Sequence, residues 1–356
     1  MAIREKINHF CALVLIPLLF SACGAPAETE AESETFFAMD TVMTLTIYET
    51  KGGVLQDARA LVEALERELS VTDADSALYA VNRDGGGSVS RDAGALLSTA
   101  LGLCAWTDGA LDVTVYPMSL AWGFTTGDYE IPDRETLDAL LEHVDYTRVR
   151  MEGGKGPEAE DTDVSLPAGA MLDLGAVAKG YTGDRLRELI LARCGEDASA
   201  LLDLGGNIVA VGTKPDGSAW RVGVRDPDDE AELAGVVTVA DKCVITSGDY
   251  ERYFTENGVR YCHIIDPSTG EPARTGLRSV TVVGREGGGV VWDAYSTALF
   301  VMGPEKAEAF WREQDTDAFD IILIDETGGV TITEGLEDSF TLAGNYKDAP
   351  LTVLRR

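Results

Sequence analysis

Histidine is almost missing from this chain, with three in 356 residues, and that scarcity excludes a His-rich zinc site. Positive charge is short as well. Against 61 Asp and Glu stand only 29 Lys and Arg, a net charge of −32. Such a chain has little with which to neutralise a phosphate backbone, so nucleic-acid binding is excluded. Adhesion to anionic lipid through a basic face is disfavoured for the same reason. The sequence has no GxSxG elbow, HExxH pair or Walker loop, which removes the common hydrolase and nucleoside-triphosphatase readings. No internal repeat recurs at a fixed period. The N-terminal apolar run falls well short of the roughly 20 residues that cross a bilayer. The six cysteines form no CxxC pair and show no zinc-ligand spacing.

What remains is a globular composition, 45 % apolar and 25 % charged, with an N-terminus of its own kind. Arg4 and Lys6 supply a positive start, Ala12 to Phe20 an apolar core, and Ser21-Ala22-Cys23-Gly24 a small-residue processing site. Residues 1–22 therefore read as a signal peptide. Cysteine directly after two small residues looks like a bacterial lipobox, with Cys23 as the lipidated first residue; a plain secretory signal is the alternative. The expected location is the extracytoplasmic face of a bacterial cell membrane, held by the lipid. Gly24 to Glu34 has four glutamates and no apolar periodicity, so residues 23–35 are expected to be a solvated tether. Folding is expected to begin near Phe36 or Phe37, with 36–356 as one large domain. Cys104, Cys194, Cys243 and Cys262 are expected to be buried free thiols.

Along the domain, Met39 to Tyr48 alternates as a strand does. Leu55 to Leu69, Ala93 to Trp106 and Ala176 to Arg193 carry helical periodicity. Asn82 to Ser88 is predicted to be a loop whose glycines make a turn, and Gly153 to Glu160 a polar surface excursion. Strands are expected over Leu201–Val211, Trp220–Val224, Gly235–Thr246, Arg260–Ile265 and Leu277–Val283. One helix is predicted from Asp293 to Val301 and another from Pro304. Ile321–Ile324 and Val330–Thr333 should close a hairpin across Gly328-Gly329. The fold class is α+β, a single large domain of mostly antiparallel sheets with packed helices.

Three places could carry chemistry. His263 lies where a strand runs into Asp266-Pro267-Ser268-Thr269-Gly270, an edge that suits an active-site group as well as a half-buried strand histidine. His143 is expected at a surface helix position. In Asp173-Leu174-Gly175-Ala176-Val177-Ala178-Lys179-Gly180, a strand ends and a helix begins whose free N–H groups favour an anion, with Lys179 one turn inside. An N-cap Asp and a surface Lys would give the same letters. Asp293 and Thr297 are four apart and share a helix face; hard oxygen ligands of that kind suit Mg²⁺. A capping Asp with a back-bonded Thr is the plainer alternative.

Taken in order, Phe37-Ala38-Met39-Asp40-Thr41, Gly109-Ala110-Leu111-Asp112-Val113-Thr114 with Pro117 and Trp122-Gly123-Phe124, Asp173 to Gly180, Leu204-Gly205-Gly206-Asn207, Ser247-Gly248-Asp249-Tyr250, His263-Ile264-Ile265-Asp266-Pro267 and Asp293 to Thr297 resemble the ApbE family, FAD:protein FMN transferases. The resemblance covers about Phe37 to Leu342 and implies an ApbE-like, T-fold-related architecture. It implies cleavage of FAD at its pyrophosphate, transfer of FMN through a phosphoester to a Thr or Ser hydroxyl of a target protein, and release of AMP. It further implies Mg²⁺, with Mn²⁺ as its substitute, held by the Asp293 carboxylate, the Thr297 hydroxyl and the Ala176 carbonyl. FAD would be gripped by Met39, Thr72, Ala110, Leu111, Asp112, Asp173, Lys179, Ser247, Gly248, His263 and Ile265. His263 is the expected base, with Asp173 as rival or partner. Targets implied by the family are redox-pump subunits or extracytoplasmic electron-transfer proteins. Two positions depart from the pattern. Thr72 stands near where many relatives carry a cofactor-stacking Tyr, and Tyr116 where Gly is frequent. The alternatives are a lipid-anchored flavin-binding protein without catalysis and an FAD pyrophosphatase giving FMN and AMP.

Overall fold

The computed structural model describes residues 31–48, 52–153, 161–314 and 318–356. The expected signal peptide, Cys23 and all but Gly153 of the Gly153–Glu160 excursion lie outside the described residues. A nine-stranded sheet forms the middle of the molecule, and its first two strands are β1 (Ala31–Ala38) and β2 (Thr41–Tyr48). Next in space come Ser199–Asp203, Asn207–Val211, Lys242–Gly248, Leu277–Arg285, Phe319–Asp325, Val330–Thr333 and Leu351–Leu354. Every neighbouring pair is antiparallel except the last, which is parallel.

Both faces of this sheet are covered, which explains why its inner strands Leu277–Arg285 and Phe319–Asp325 are buried at consecutive positions rather than alternate ones. Phe319, Ile321 and Leu323 join the core on one face, while Ile322 and Ile324 join the core on the other. The first face carries α1 (Val54–Leu69), α3 (Arg91–Trp106), α6 (Gly175–Cys194) and α7 (Gly289–Glu313). Three short helices complete the set: α2 (Ala77–Asp84), α4 (Tyr116–Ala121) and α5 (Arg134–Leu141). The other face is covered by a three-stranded antiparallel sheet of Phe340–Leu342, Asp229–Val239 and Trp220–Asp226, which buries Trp220, Val222, Val224, Val237 and Phe340. The α+β reading with mostly antiparallel sheets therefore holds.

The periodic segments fold as their patterns dictate. In α1 the buried positions Val54, Leu55, Ala58, Val62, Leu65 and Leu69 recur at helical spacing. Ser90 caps α3 by accepting a hydrogen bond from the Ala93 amide at 3.2 Å. At Pro304, α7 kinks: Gly303 takes φ 76° and ψ 173°, and proline offers no N–H to the Phe300 carbonyl. Thr275 Oγ1 donates to that carbonyl instead, at 2.9 Å.

Several expectations are corrected. Residues 31–35, expected within the solvated tether, belong to β1, which pairs along its whole length with β2, and the Ser33–Thr46 and Thr35–Thr44 hydroxyls bond across the pair. Asn82 to Asp84 is the last turn of α2, Gly85 its left-handed cap (φ 73°), and Gly86–Ser90 a strand rather than a loop. β2 starts at Thr41, since Met39 and Asp40 form a two-residue hairpin turn with φ 49° and 59°. The strand before His263 ends at Cys262. No strand ends on Asp173; Met171 makes a single bridge to Val115. His143 sits in the turn after α5. Cys104, Cys243 and Cys262 are buried and Cys194 half-buried, all four free thiols.

Candidate active site

Where α6 and α7 cross under the sheet, an open cavity of about 290 Å³ collects residues from Met39 to Thr297. Its walls are the Met39–Asp40 turn, the Ala110-Leu111-Asp112 loop after α3, the entry to α6 with Asp173, Ala176 and Lys179, the strand end at Ser247-Gly248, the His263-to-Ile265 segment, and Asp293 with Thr297 on α7. Of the residues expected from the sequence to bind FAD or metal, Thr72 alone is absent from these walls. It is exposed, in a turn behind α1 where Ser70 Oγ accepts from the Thr72 and Asp73 amides. A short side chain there does not reach the cavity, and the hydroxyl of buried Tyr116 donates to the adjacent Val71 carbonyl at 3.1 Å.

The α6–α7 crossing is the centre of the site. Gly180 of α6 lies so close to α7 that an added Cβ would stand 2.1 Å from the Gly289 carbonyl oxygen. Its amide donates to Asp293 Oδ2 at 2.8 Å. That amide is the donor a regular helix aims at the Ala176 carbonyl, so the carboxylate and the carbonyl compete for one hydrogen beside the cavity. Asp293 is the fifth residue of α7 and caps nothing; the cap is made from α6 by Asp184, which accepts from Gly289 and Val290 at 2.8 and 3.1 Å. Burial pushes the Asp293 carboxyl up to about 6, against the pull of Lys179 and the Asn207 amide. Asn207 Nδ2 nevertheless makes no well-formed hydrogen bond. Thr297 Oγ1 lies 3.2 Å from Ser247 Oγ, which also meets Ser296 Oγ at 2.8 Å.

The donor set of Asp293, Thr297 and Ala176 is one carboxylate, one hydroxyl and one carbonyl, all hard oxygens. Among the described residues no group of three or more His, Cys, Asp or Glu gathers as a metal cage. A single buried carboxylate with neutral oxygen neighbours fits a Mg²⁺ that takes most of its ligands from substrate and water.

Opposite stands His263, half-buried. Its amide donates to the Arg252 carbonyl at 2.9 Å, and Nδ1 lies 3.3 Å from the same oxygen. A carbonyl only accepts, so Nδ1 carries the hydrogen and Nε2 keeps its lone pair. Burial, then the positive charges of Arg252 and Lys179, push the imidazole down to about 3, so the ring is neutral throughout the physiological range. Lys179 Nζ reaches the Gly205 carbonyl at 3.4 Å. Asp173 Oδ1 accepts from the Gly175 amide at 2.8 Å, and burial raises its pKa against the pull of that bond and of Arg252. Asp112 is committed inward: Oδ1 accepts from the Thr114 amide and hydroxyl at 2.8 and 2.6 Å and Oδ2 from Tyr146 at 3.2 Å. Its loop, not its carboxylate, is offered to the cavity.

Residues without a motif hold these groups in place. Asn82 pairs both ways with Leu172, at 2.7 and 2.8 Å, and so fixes the segment that presents Asp173. Glu66 Oε1 accepts from the Met39 amide at 2.7 Å and pins the hairpin turn.

Comparison with known proteins places the same segments in one family. The ApbE family model matches residues 39–320. The chain is 35 % identical over 318 residues to the FAD:protein FMN transferase of Treponema pallidum, covering 85 % of this chain and 87 % of that one. It is 31 % identical over 320 residues to the FAD:protein FMN transferase of Escherichia coli K12, covering 85 % and 89 %. Among solved structures, the ApbE protein of Thermotoga maritima aligns with a TM-score of 0.77 at 30 % identity, over 85 % of this chain and 96 % of that one. The apo flavinyl transferase ApbE of Pseudomonas stutzeri aligns at 0.73 and 26 % identity, over 87 % and 97 %.

Proposed function

The chain belongs to the ApbE family, and from that premise we propose that it is an FAD:protein FMN transferase. It takes FAD and a flavin-accepting target protein and leaves FMN joined to a Thr or Ser of the target through a phosphoester, with AMP released. The observation that carries this reading is one cavity lined by Asp293, Thr297 and Ala176 together with Lys179 and neutral His263. That is the equipment of phosphoryl transfer, in which positioning and charge neutralisation do most of the catalysis.

In the reaction, the target hydroxyl oxygen bonds to the FMN phosphorus. The bond from that phosphorus to the bridging oxygen breaks, and AMP departs with the electron pair. The hydroxyl proton goes to Nε2 of His263, whose lone pair the Arg252 carbonyl keeps exposed by holding Nδ1–H. An imidazole held so low is a weak base on its own. A bound pyrophosphate offsets the fields of Lys179 and Arg252 and so raises its basicity as the substrate arrives. Asp173 takes the supporting role, its carboxylate anchored on the α6 N-terminus. Asp293, Thr297 and Ala176 would hold Mg²⁺, with Mn²⁺ a workable substitute. The metal supplies charge neutralisation at the pyrophosphate oxygens.

One observation favours a second reading. With Thr72 off the cavity, no aromatic ring from that loop covers a bound flavin or adenine, and water reaching the phosphorus in place of a hydroxyl would make the protein an FAD pyrophosphatase. Incubation with FAD, Mg²⁺ and an acceptor peptide distinguishes these readings. Flavin on the peptide supports transfer, free FMN with AMP supports hydrolysis, and intact FAD supports a carrier. We further propose that Cys23 is lipidated and holds the domain at the extracytoplasmic membrane face, near its redox-pump or electron-transfer targets. Cys23→Ala should release the protein from membranes or leave an unprocessed precursor; unchanged partition and mass would refute the anchor.

A further inference from the structure

We propose that Arg252 is an anion-binding residue of the cavity, held by Asp40 while the cavity is empty and transferred to the phosphate oxygens of the dinucleotide when it fills. The proposal rests on the transferase reading for its ligand. Its basis is where Arg252 stands. The residue lies in the connection between the strands Lys242–Gly248 and Tyr253–Glu256, and its carbonyl is bonded by the His263 amide at 2.9 Å. The backbone that carries the guanidinium is therefore fixed to the residue proposed to take the proton.

The side chain is free to exchange partners. Its Nη1 meets Asp40 Oδ2 at 3.2 Å across the cavity mouth, its only side-chain hydrogen bond among the described residues. Both partners are open to solvent, Arg252 49 % and Asp40 71 % exposed. An ion pair of that exposure contributes little and is readily given up. A guanidinium has five donors in a planar fork that matches phosphate oxygens two at a time, so most of its capacity is unused.

Electrostatics require a second cation here. The chain carries −32 overall, and the cavity walls include the carboxylates Asp40, Asp173, Glu251 and Asp293. Lys179 and Arg252 both line the cavity, and the charges of both bear on His263, with that of Lys179 also on Asp293 and that of Arg252 also on Asp173. A pyrophosphate in the cavity carries more charge than one cation offsets, so the guanidinium is available as its second partner. Asp40 sits in a left-handed turn, at φ 59°, that aims its carboxylate at the guanidinium. It serves as a placeholder for the ligand's charge.

The test is FAD binding by flavin fluorescence in EDTA without acceptor peptide, beside riboflavin, which has the flavin but no phosphate. Arg252→Gln should weaken FAD about tenfold, the scale of a charged hydrogen bond, and leave riboflavin unchanged. Arg252→Lys should fall between, keeping the charge without the fork. Asp40→Asn should tighten FAD several-fold, and the double variant should bind as Arg252→Gln does. Unaltered FAD affinity in Arg252→Gln, equal losses for both ligands, or weaker binding in Asp40→Asn would each overturn the proposal. A wild type that binds FAD in this pattern yet never modifies a peptide would refute the transferase reading and leave Arg252 standing.

Discussion

The Gly180 amide and Asp293 Oδ2, 2.8 Å apart, join the second turns of α6 and α7 beside the close contact of the Gly180 and Gly289 backbones. Glycine at 180 is what permits the approach. In an exposed helix, Gly→Ala stabilises by up to about 1 kcal/mol. Here the new methyl would meet the Gly289 carbonyl oxygen at 2.1 Å and Asp293 Cβ at 2.7 Å. Gly180→Ala is therefore expected to destabilise by about 1–3 kcal/mol, as overpacking does, and to raise the Mg²⁺ needed for half-maximal transfer. Urea melts and a metal titration check both; a stabilised protein with an unchanged metal response would refute the tight crossing.

Asp293 is the only charged side chain of the proposed metal set. Asp293→Ala should abolish transfer in Mg²⁺ buffers, and so should Asp293→Asn, which keeps an acceptor for the Gly180 amide. Thr297→Val keeps shape but loses the oxygen, and should increase the Mg²⁺ requirement while leaving a measurable maximal rate. EDTA should silence the wild type, with recovery on adding Mg²⁺. Normal turnover in folded Asp293→Asn would move the site elsewhere.

For His263, His263→Ala should lower turnover by roughly 10²–10⁴-fold, the usual contribution of a positioned base, while FAD still binds. The imidazole resonances of the empty protein should not titrate between pH 8 and 5, because the ring is held down to about 3. The sign for stability follows from proton uptake. Below about pH 6.5 the unfolded chain takes a proton on this residue and the native state does not. The contribution of neutral His263 is thus complete above 6.5 and is lost as pH falls toward 3. His263→Gln removes that loss, so its denaturation midpoint should fall less than the wild type's between pH 7 and 5. Equal losses would refute the depressed pKa.

Asp184 belongs to no motif, yet it caps the helix that carries Asp293 and Thr297. Asp184→Ala should cost about 0.5–2 kcal/mol, the value of a helix cap, and should also weaken the response to Mg²⁺ through a displaced α7 start. A stability loss with an unchanged Mg²⁺ titration would reduce its role to structure alone.

What was legible in the sequence followed periodicity and local spacing. α1, α3 and α6 announce themselves because their apolar residues repeat at helical spacing, and the inner strands because they are unbroken apolar runs. Asp293 and Thr297 could be paired because one helical turn separates them. The rest depended on partners far along the chain. Asn82 reaches Leu172 across 90 residues, and Arg252 reaches Asp40 across 212. α2 is obscured because its last turn runs directly into three glycines. β1 is obscured by its glutamates; its outward positions are polar, and its register comes from hydroxyl pairs with β2. Thr72 was misplaced for a related reason, since proximity in sequence to a motif position does not carry a short side chain into the cavity.

β1 is the outermost strand of nine, and the turn that ends it is also a wall of the cavity. A strand bonded along one edge frays more easily than those inside the sheet. Each fraying event would remove Met39 and Asp40 from the site, so occupancy and edge opening share one equilibrium. A ligand spanning the cavity would slow amide exchange along Thr35 to Ala38, residues that need not touch it. The margin of the sheet thereby becomes a gauge of what is bound at its centre.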